Sequence, residues 1–201
     1  MDDAEVGAQD VLPITLYGNG VLRGRSPEVT EFGADLALLV DQMFETLHAI
    51  SYGVGLSANQ VGRRERVFVF DLHDGQSGHV VNPVVTTGPE LQSDEEACLS
   101  VPGIGLPTTR SMTASVRGKD SAGRPVEYEG EALMARCFQH ELDHLNGKLY
   151  IDLHPAEVRK RVQQAVQALP WFGQPALDPR TELYLGLRED GPDGEDDPGP
   201  A

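Results

Sequence analysis

Apolar positions along the chain recur with two different periods, and those periods predict its elements. Between residues 34 and 50, Leu36, Leu39, Val40, Met43, Leu47 and Ile50 fall on one face of an amphipathic helix. The run from Gly53 to Gly62 is too rich in glycine to continue it. Residues 66–71 and 79–82 switch to the composition of strands, with a turn at Asp74-Gly75 between them. A second strand pair, 111–117 with 126–128, flanks the turn at residues 120–123. Helical spacing returns over 131–145, with Gly147 as its stop signal. A third helix is expected over 155–169, where Pro155 suits a first turn and Pro170 ends the element. Helices at both ends with strand pairs between them predict a single compact α+β domain. In that fold the antiparallel pairs pack around a buried central helix, with one further helix on the N-terminal side and one on the C-terminal side.

Charge adds boundaries to this picture. The 201 residues carry 32 acidic and 16 basic side chains, a net charge of −16. That balance argues against a main role in holding DNA or an anionic membrane through phosphate contacts. Residues 189–201 contain six acids, three prolines and no base, so residues 173–201 are expected to form an extended, disordered tail. Residues 1–15 are expected to be loose, which leaves 16–172 as the folded unit. Neither a secretion signal nor an apolar run long enough for a bilayer is visible, and two cysteines make no disulfide framework. A cytoplasmic location is the expectation.

The helix over 131–145 carries the clearest chemistry. His140-Glu141-Leu142-Asp143-His144 sets two imidazoles four residues apart, on one helix face, with a glutamate between them. Apolar residues almost all round this helix predict burial, and buried His and acid groups are costly without partners. One divalent metal ion is the simplest partner. A catalytic site wants a third protein ligand, and Cys98 and Cys137 are both candidates by residue type. Cys98 lies in a loop-like stretch, 95–103. A zincin-type peptidase would instead draw its third ligand from downstream, where His154 and Glu157 are the nearest candidates. Asp143 is expected to orient one histidine as an outer hydrogen-bond partner.

Three segments then share one resemblance. GVGLSANQ (53–60), EACLS (96–100) and QHELDHLNG (139–147) resemble, in order, the three signature motifs of the peptide deformylases. Similarity runs from about Leu22 to Leu169. Ser57 stands where the first motif usually has Ala, and Ala97 where the second usually has Gly. The resemblance implies Cys98, His140 and His144 as metal ligands, with Fe(II) the usual ion and Zn, Ni or Co as alternatives. It implies Glu141 as general base and then acid, and Gln60 with the backbone N–H of Leu99 as the oxyanion donors. Val54 and Gly55 would bind the peptide backbone, while Leu133, Cys137 and the body of His140 would receive a methionine side chain. The implied reaction removes formyl from N-formylmethionyl peptides, with the ribosome a transient partner at most. The basic stretch Arg159-Lys160-Arg161 reads as a solvated helix face.

Overall fold

The computed structural model describes residues 11–185. Its strands are β1 (Ile14–Thr15), β2 (Gly55–Ser57), β3 (Val67–Asp71), β4 (Ser77–Thr87), β5 (Leu91–Ala97), β6 (Gly105–Ser111), β7 (Thr113–Lys119), β8 (Pro125–Glu131) and β9 (Ala176–Leu177). The helices are α1 (Ala34–His48), α2 (Ala132–Leu145), α3 (Ala156–Gln167) and the single turn α4 (Glu182–Leu185). Short 3-10 turns occupy Gly20–Arg23, Ala58–Val61 and Tyr150–Leu153. Five strands form one antiparallel sheet in the order β2-β3-β4-β7-β8, and β5-β6 and β1-β9 form separate pairs.

Strand β3 shows why the sheet sits between two helices. Val67, Phe68, Val69 and Phe70 are all fully buried, and successive side chains point to opposite faces. The two valines pack in the cluster built on Leu39, Val40, Met43 and Leu47 of α1. The two phenylalanines pack with Phe138 and Cys137 of α2, and Phe70 meets Phe138 edge-on at 5.2 Å between centroids. A strand covered on both sides reads as a continuous apolar run, which is what this one is. Helix α2 is therefore the buried central helix of a single α+β domain. It ends at Gly147, whose N–H bonds to the carbonyl of His144 in a left-handed conformation (φ 74°). A Cβ there would stand 2.5 Å from the Arg23 carbonyl oxygen, so both the conformation and the close approach call for glycine.

Several boundaries differ from those the periodicity predicts. Strand β4 continues past Asn82 to Thr87 through a bulge between Val81 and Val84. Pro83 hides that continuation, and Asn82 absorbs the irregularity at φ 54° while its side chain holds the N–H and C=O of Val29. The stretch from Glu95 is not a loop at its start. Residues 91–97 pair with 105–111 as the β5-β6 hairpin, whose mostly exposed, polar β5 lacks the alternation that would reveal it.

The ordered part also extends beyond 16–172. Ile14 and Thr15 are buried and pair with Leu177 and Ala176. Tyr184 is 1 % exposed, and its hydroxyl donates to the Leu99 carbonyl at 2.8 Å. The expectation of an extended tail from 173 therefore fails for residues 176–185, and the rest of it, 186–201, lies outside the described residues, as do residues 1–10. Among the described residues no helix is long and apolar enough to cross a membrane.

Candidate metal centre

Helix α2 carries Leu133, Cys137, His140, Glu141 and His144 at successive steps of four, three, one and three, so they rise along one face. That face looks onto β2 and onto the turn that follows β5. The turn brings in Cys98. Its Sγ lies 3.2 Å from His144 Nε2, which in turn lies 3.1 Å from His140 Nε2. All three donor atoms fall within 4.8 Å of one another, and all three residues are buried.

The charges around these rings decide which nitrogen faces the centre. Glu96 Oε1 lies 2.7 Å from His140 Nδ1. The Glu96 carboxylate also receives Arg110 through Nε at 3.0 Å and Nη2 at 2.6 Å, and Arg136 through Nη1 at 2.8 Å. Burial opposes its ionisation, but the hydrogen bonds from His140 and Arg110 outweigh burial and hold it far below the usual carboxylate range. An ionised Glu96 can only accept, so Nδ1 of His140 carries a hydrogen and Nε2 is the ring nitrogen turned toward Cys98 and His144. Burial drives the proton affinity of His144 well below that of an ordinary imidazole, and its Nδ1 has no partner among the described residues.

This donor set fits a divalent cation. Two protein donors on one tetrahedral ion lie about 3.4 Å apart, close to the Cys98–His144 and His144–His140 separations. Without a shared cation, two imidazole nitrogens and a cysteine sulfur crowd one buried point. Cys, His and His are donors acceptable to zinc and to iron, cobalt or nickel.

Beside this cluster opens a cavity of about 330 Å³. Of the expected site residues it is lined by Val54, Gly55, Gln60, Cys98, Leu99, Leu133, Cys137, His140 and Glu141, and His144 is not part of its lining. Glu141 is 2 % exposed. Burial pushes its carboxyl above the ordinary range, offset in part by His140 and by a hydrogen bond from Ser57. Burial likewise pushes the Cys137 thiol well up, with the carboxylates of Glu141 and Glu96 adding to the effect. Cys137 sits against the Val54 carbonyl at 3.5 Å as a packing group, so Cys98 and not Cys137 joins the histidines. Gln60 has its amide orientation set by the Ser57 N–H, which donates to Oε1 at 2.9 Å. Its Nε2 then points to Cys98 Sγ at 3.6 Å and Ser100 Oγ at 3.3 Å.

The sequence profile of the family "Polypeptide deformylase" matches residues 11–160. The chain belongs to the polypeptide deformylase family. Members of this family are metal-dependent hydrolases that remove the N-formyl group from newly made polypeptides. The chain is 44 % identical to the peptide deformylase of Acidothermus cellulolyticus over 164 residues, 82 % of this chain and 90 % of the relative. It is 44 % identical to peptide deformylase 2 of Streptomyces coelicolor over 166 residues, 80 % of this chain and 92 % of that one. Among solved structures, the peptide deformylase of Thermus thermophilus superposes with a TM-score of 0.73 at 38 % identity, covering 79 % of this chain and 94 % of that one.

Some expectations from sequence alone give way here. Asp143 does not orient a histidine: its Oδ2 receives Arg110 Nη1 at 2.6 Å, and Glu96 holds His140 instead. Asp143 and Glu96 thus share Arg110, and the carboxylate nearer the rings takes the imidazole. His154 bonds to Thr108 Oγ1 at 3.1 Å, and Glu157 is exposed on α3, so neither joins the donor cluster. Glu96, Arg110, Arg136 and Ser100 went without roles in the sequence. Glu96 is visible there only as a letter of the second motif.

Proposed function

We propose that this deformylase acts on N-formylmethionyl peptides through Cys98, His140, His144, Glu141, Gln60 and Leu99. The observation that carries the reading is the convergence of the three donor atoms beside a cavity lined by Glu141 and Gln60. Fe(II) is the ion we assign to the centre, with Zn, Ni or Co as substitutes. The cation, when bound by Cys98 Sγ and the two histidine Nε2 atoms, supplies Lewis acidity that acidifies water and polarises a carbonyl. Glu141 takes the proton released by the attacking water and later returns it to the departing amine nitrogen. The Gln60 amide and the Leu99 N–H donate to the formyl oxygen as negative charge develops on it.

The peptide lies extended along β2, the edge strand of the five-stranded sheet, with main-chain contacts at Val54 and Gly55. Its methionine side chain enters the cavity between Leu133, Cys137 and the ring of His140. The catalytic unit runs from Ile14 to Tyr184, in the cytoplasm, with ribosome contact transient at most. The test is formate release from formyl-Met-Ala-Ser after anaerobic loading with Fe(II), or with nickel as a robust substitute. Turnover that follows metal content is expected. A stoichiometrically loaded protein that releases no formate would sink the reading.

Close packing at Gly55 makes a further prediction. A Cβ there would lie 2.6 Å from Glu141 Oε1 and 2.7 Å from Cys137 Sγ. Gly55→Ala is expected to displace the carboxyl and lower kcat by about tenfold or more, with a stability cost of about 1–3 kcal/mol. Steady-state kinetics beside a thermal melt check it; wild-type kinetics would show the carboxyl free to move aside.

A further inference from the structure

We propose that Ser57 is a positioning residue for Glu141, dividing the two oxygens of its carboxyl into one that is held and one that works. The inference rests on the reading of Glu141 as the proton-transfer group. Ser57 ends β2 and is fully buried. Its Oγ lies 2.5 Å from Glu141 Oε2 and 3.1 Å from the main-chain oxygen of the same residue. A hydroxyl has one hydrogen to give, and the shorter contact directs it to the carboxylate.

Strand periodicity explains how one short segment grips the whole carboxyl. Residues 55 and 57 are two apart, so they address the same face of β2, the face turned toward α2. At 57 the hydroxyl holds Oε2. At 55 the missing side chain leaves room for Oε1, which lies where a Cβ would meet it at 2.6 Å. Oε1 is thereby left against the cavity wall formed by Gly55, free to take and return a proton, while Oε2 stays committed to Ser57.

The same residue reaches the other side of the site. The Ser57 N–H donates to Gln60 Oε1 and so fixes which end of that amide faces Cys98. Because this second contact uses the main chain, removing the hydroxyl leaves it in place. Ser57→Ala therefore isolates the grip on Glu141.

The experiment measures kcat, KM and bound metal for wild type, Ser57→Ala and Ser57→Thr with formyl-Met-Ala-Ser. It repeats Ser57→Ala in a Glu141→Gln background at high enzyme concentration. The expected result is a loss of about tenfold or more in kcat for Ser57→Ala, with KM within about twofold. Metal content stays at the wild-type level, and Ser57→Thr, which keeps the hydroxyl, recovers most of the rate. In the Glu141→Gln background the same change adds no further loss, because the group it acts through is gone. A Ser57→Ala enzyme with wild-type kcat overturns the proposal. So does a full-sized loss that recurs without Glu141, or one that tracks lost metal. No formate release by the metal-loaded wild type would instead overturn the underlying reading, and this inference with it.

Discussion

Glu141→Gln is expected to lower kcat by about 10²–10⁴-fold while the metal-binding cluster stays intact. The amide is nearly the same size as the carboxyl, and its oxygen can still accept the Ser57 hydroxyl that holds Oε2 at 2.5 Å. What it loses is the ability to accept a proton from water and deliver it to nitrogen. Cys98, His140 and His144 form their cluster without Glu141, so metal content should match the wild type. KM should change little, because in the proposed mechanism Glu141 acts on the attacking water and not on the peptide side chain. Burial already raises the proton affinity of this carboxyl, which suits a group that must hold a proton between two steps. Formate release and metal analysis on the same preparation check the prediction. A variant retaining more than about a tenth of the wild-type rate would remove Glu141 from proton transfer.

The second large effect is expected at Glu96, and it is one of stability as well as activity. Its carboxylate is only 3 % exposed and neutralises Arg110 and Arg136, whose side chains are 6 % and 7 % exposed. Glu96→Ala leaves both guanidiniums buried with Asp143 as the one remaining acid of the network. Breaking a buried ion pair by removing one partner costs about 3–5 kcal/mol. For a domain of this size that corresponds to a fall in melting temperature of about 10 °C. The same change frees His140 Nδ1, so the ring loses the partner that turns its Nε2 to the centre. Metal affinity should drop about 10–100-fold. Glu96→Gln keeps an acceptor for His140 but not the charge, and it should fall between the alanine variant and wild type. Thermal melts and metal titrations separate the two losses. Unchanged values of both in Glu96→Ala would mean that the arginines and the ring find other partners.

Some of this protein is written in short-range pattern and some is not. The spacing of His140 and His144 on a helix, the two-sided burial of Val67 to Phe70 and the stop at Gly147 all follow from neighbours within one turn or one strand. Such features depend on periods of 3.6 and 2, which a linear chain displays directly. That is why the central helix, the strand pairs and two of the three residues of the candidate metal cluster are legible without coordinates. The order of three motifs then supplies Cys98 by resemblance, where residue chemistry alone leaves Cys137 equally open.

Tertiary structure decided the rest, because the contacts that matter join residues far apart in sequence. Ser57 meets Glu141 across 84 positions, Glu96 meets His140 across 44, and Cys98 meets His144 across 46. No periodicity encodes such pairings. The choice of Glu96 over Asp143 as the acceptor for His140 is a matter of which carboxylate the β5-β6 hairpin and the Arg110 side chain bring within 3 Å, and polar β5 shows no pattern to announce it. The reach of the ordered chain to Tyr184 is of the same kind. An acidic, proline-rich composition predicts looseness, but one phenol buried in the core and bonded to the Leu99 carbonyl anchors the segment that carries it. Sequence alone determined the helix, the metal-binding pattern and the family. The folded chain decided which groups hold the metal-site side chains in position, since that depends on burial and charge pairing created only when distant segments meet.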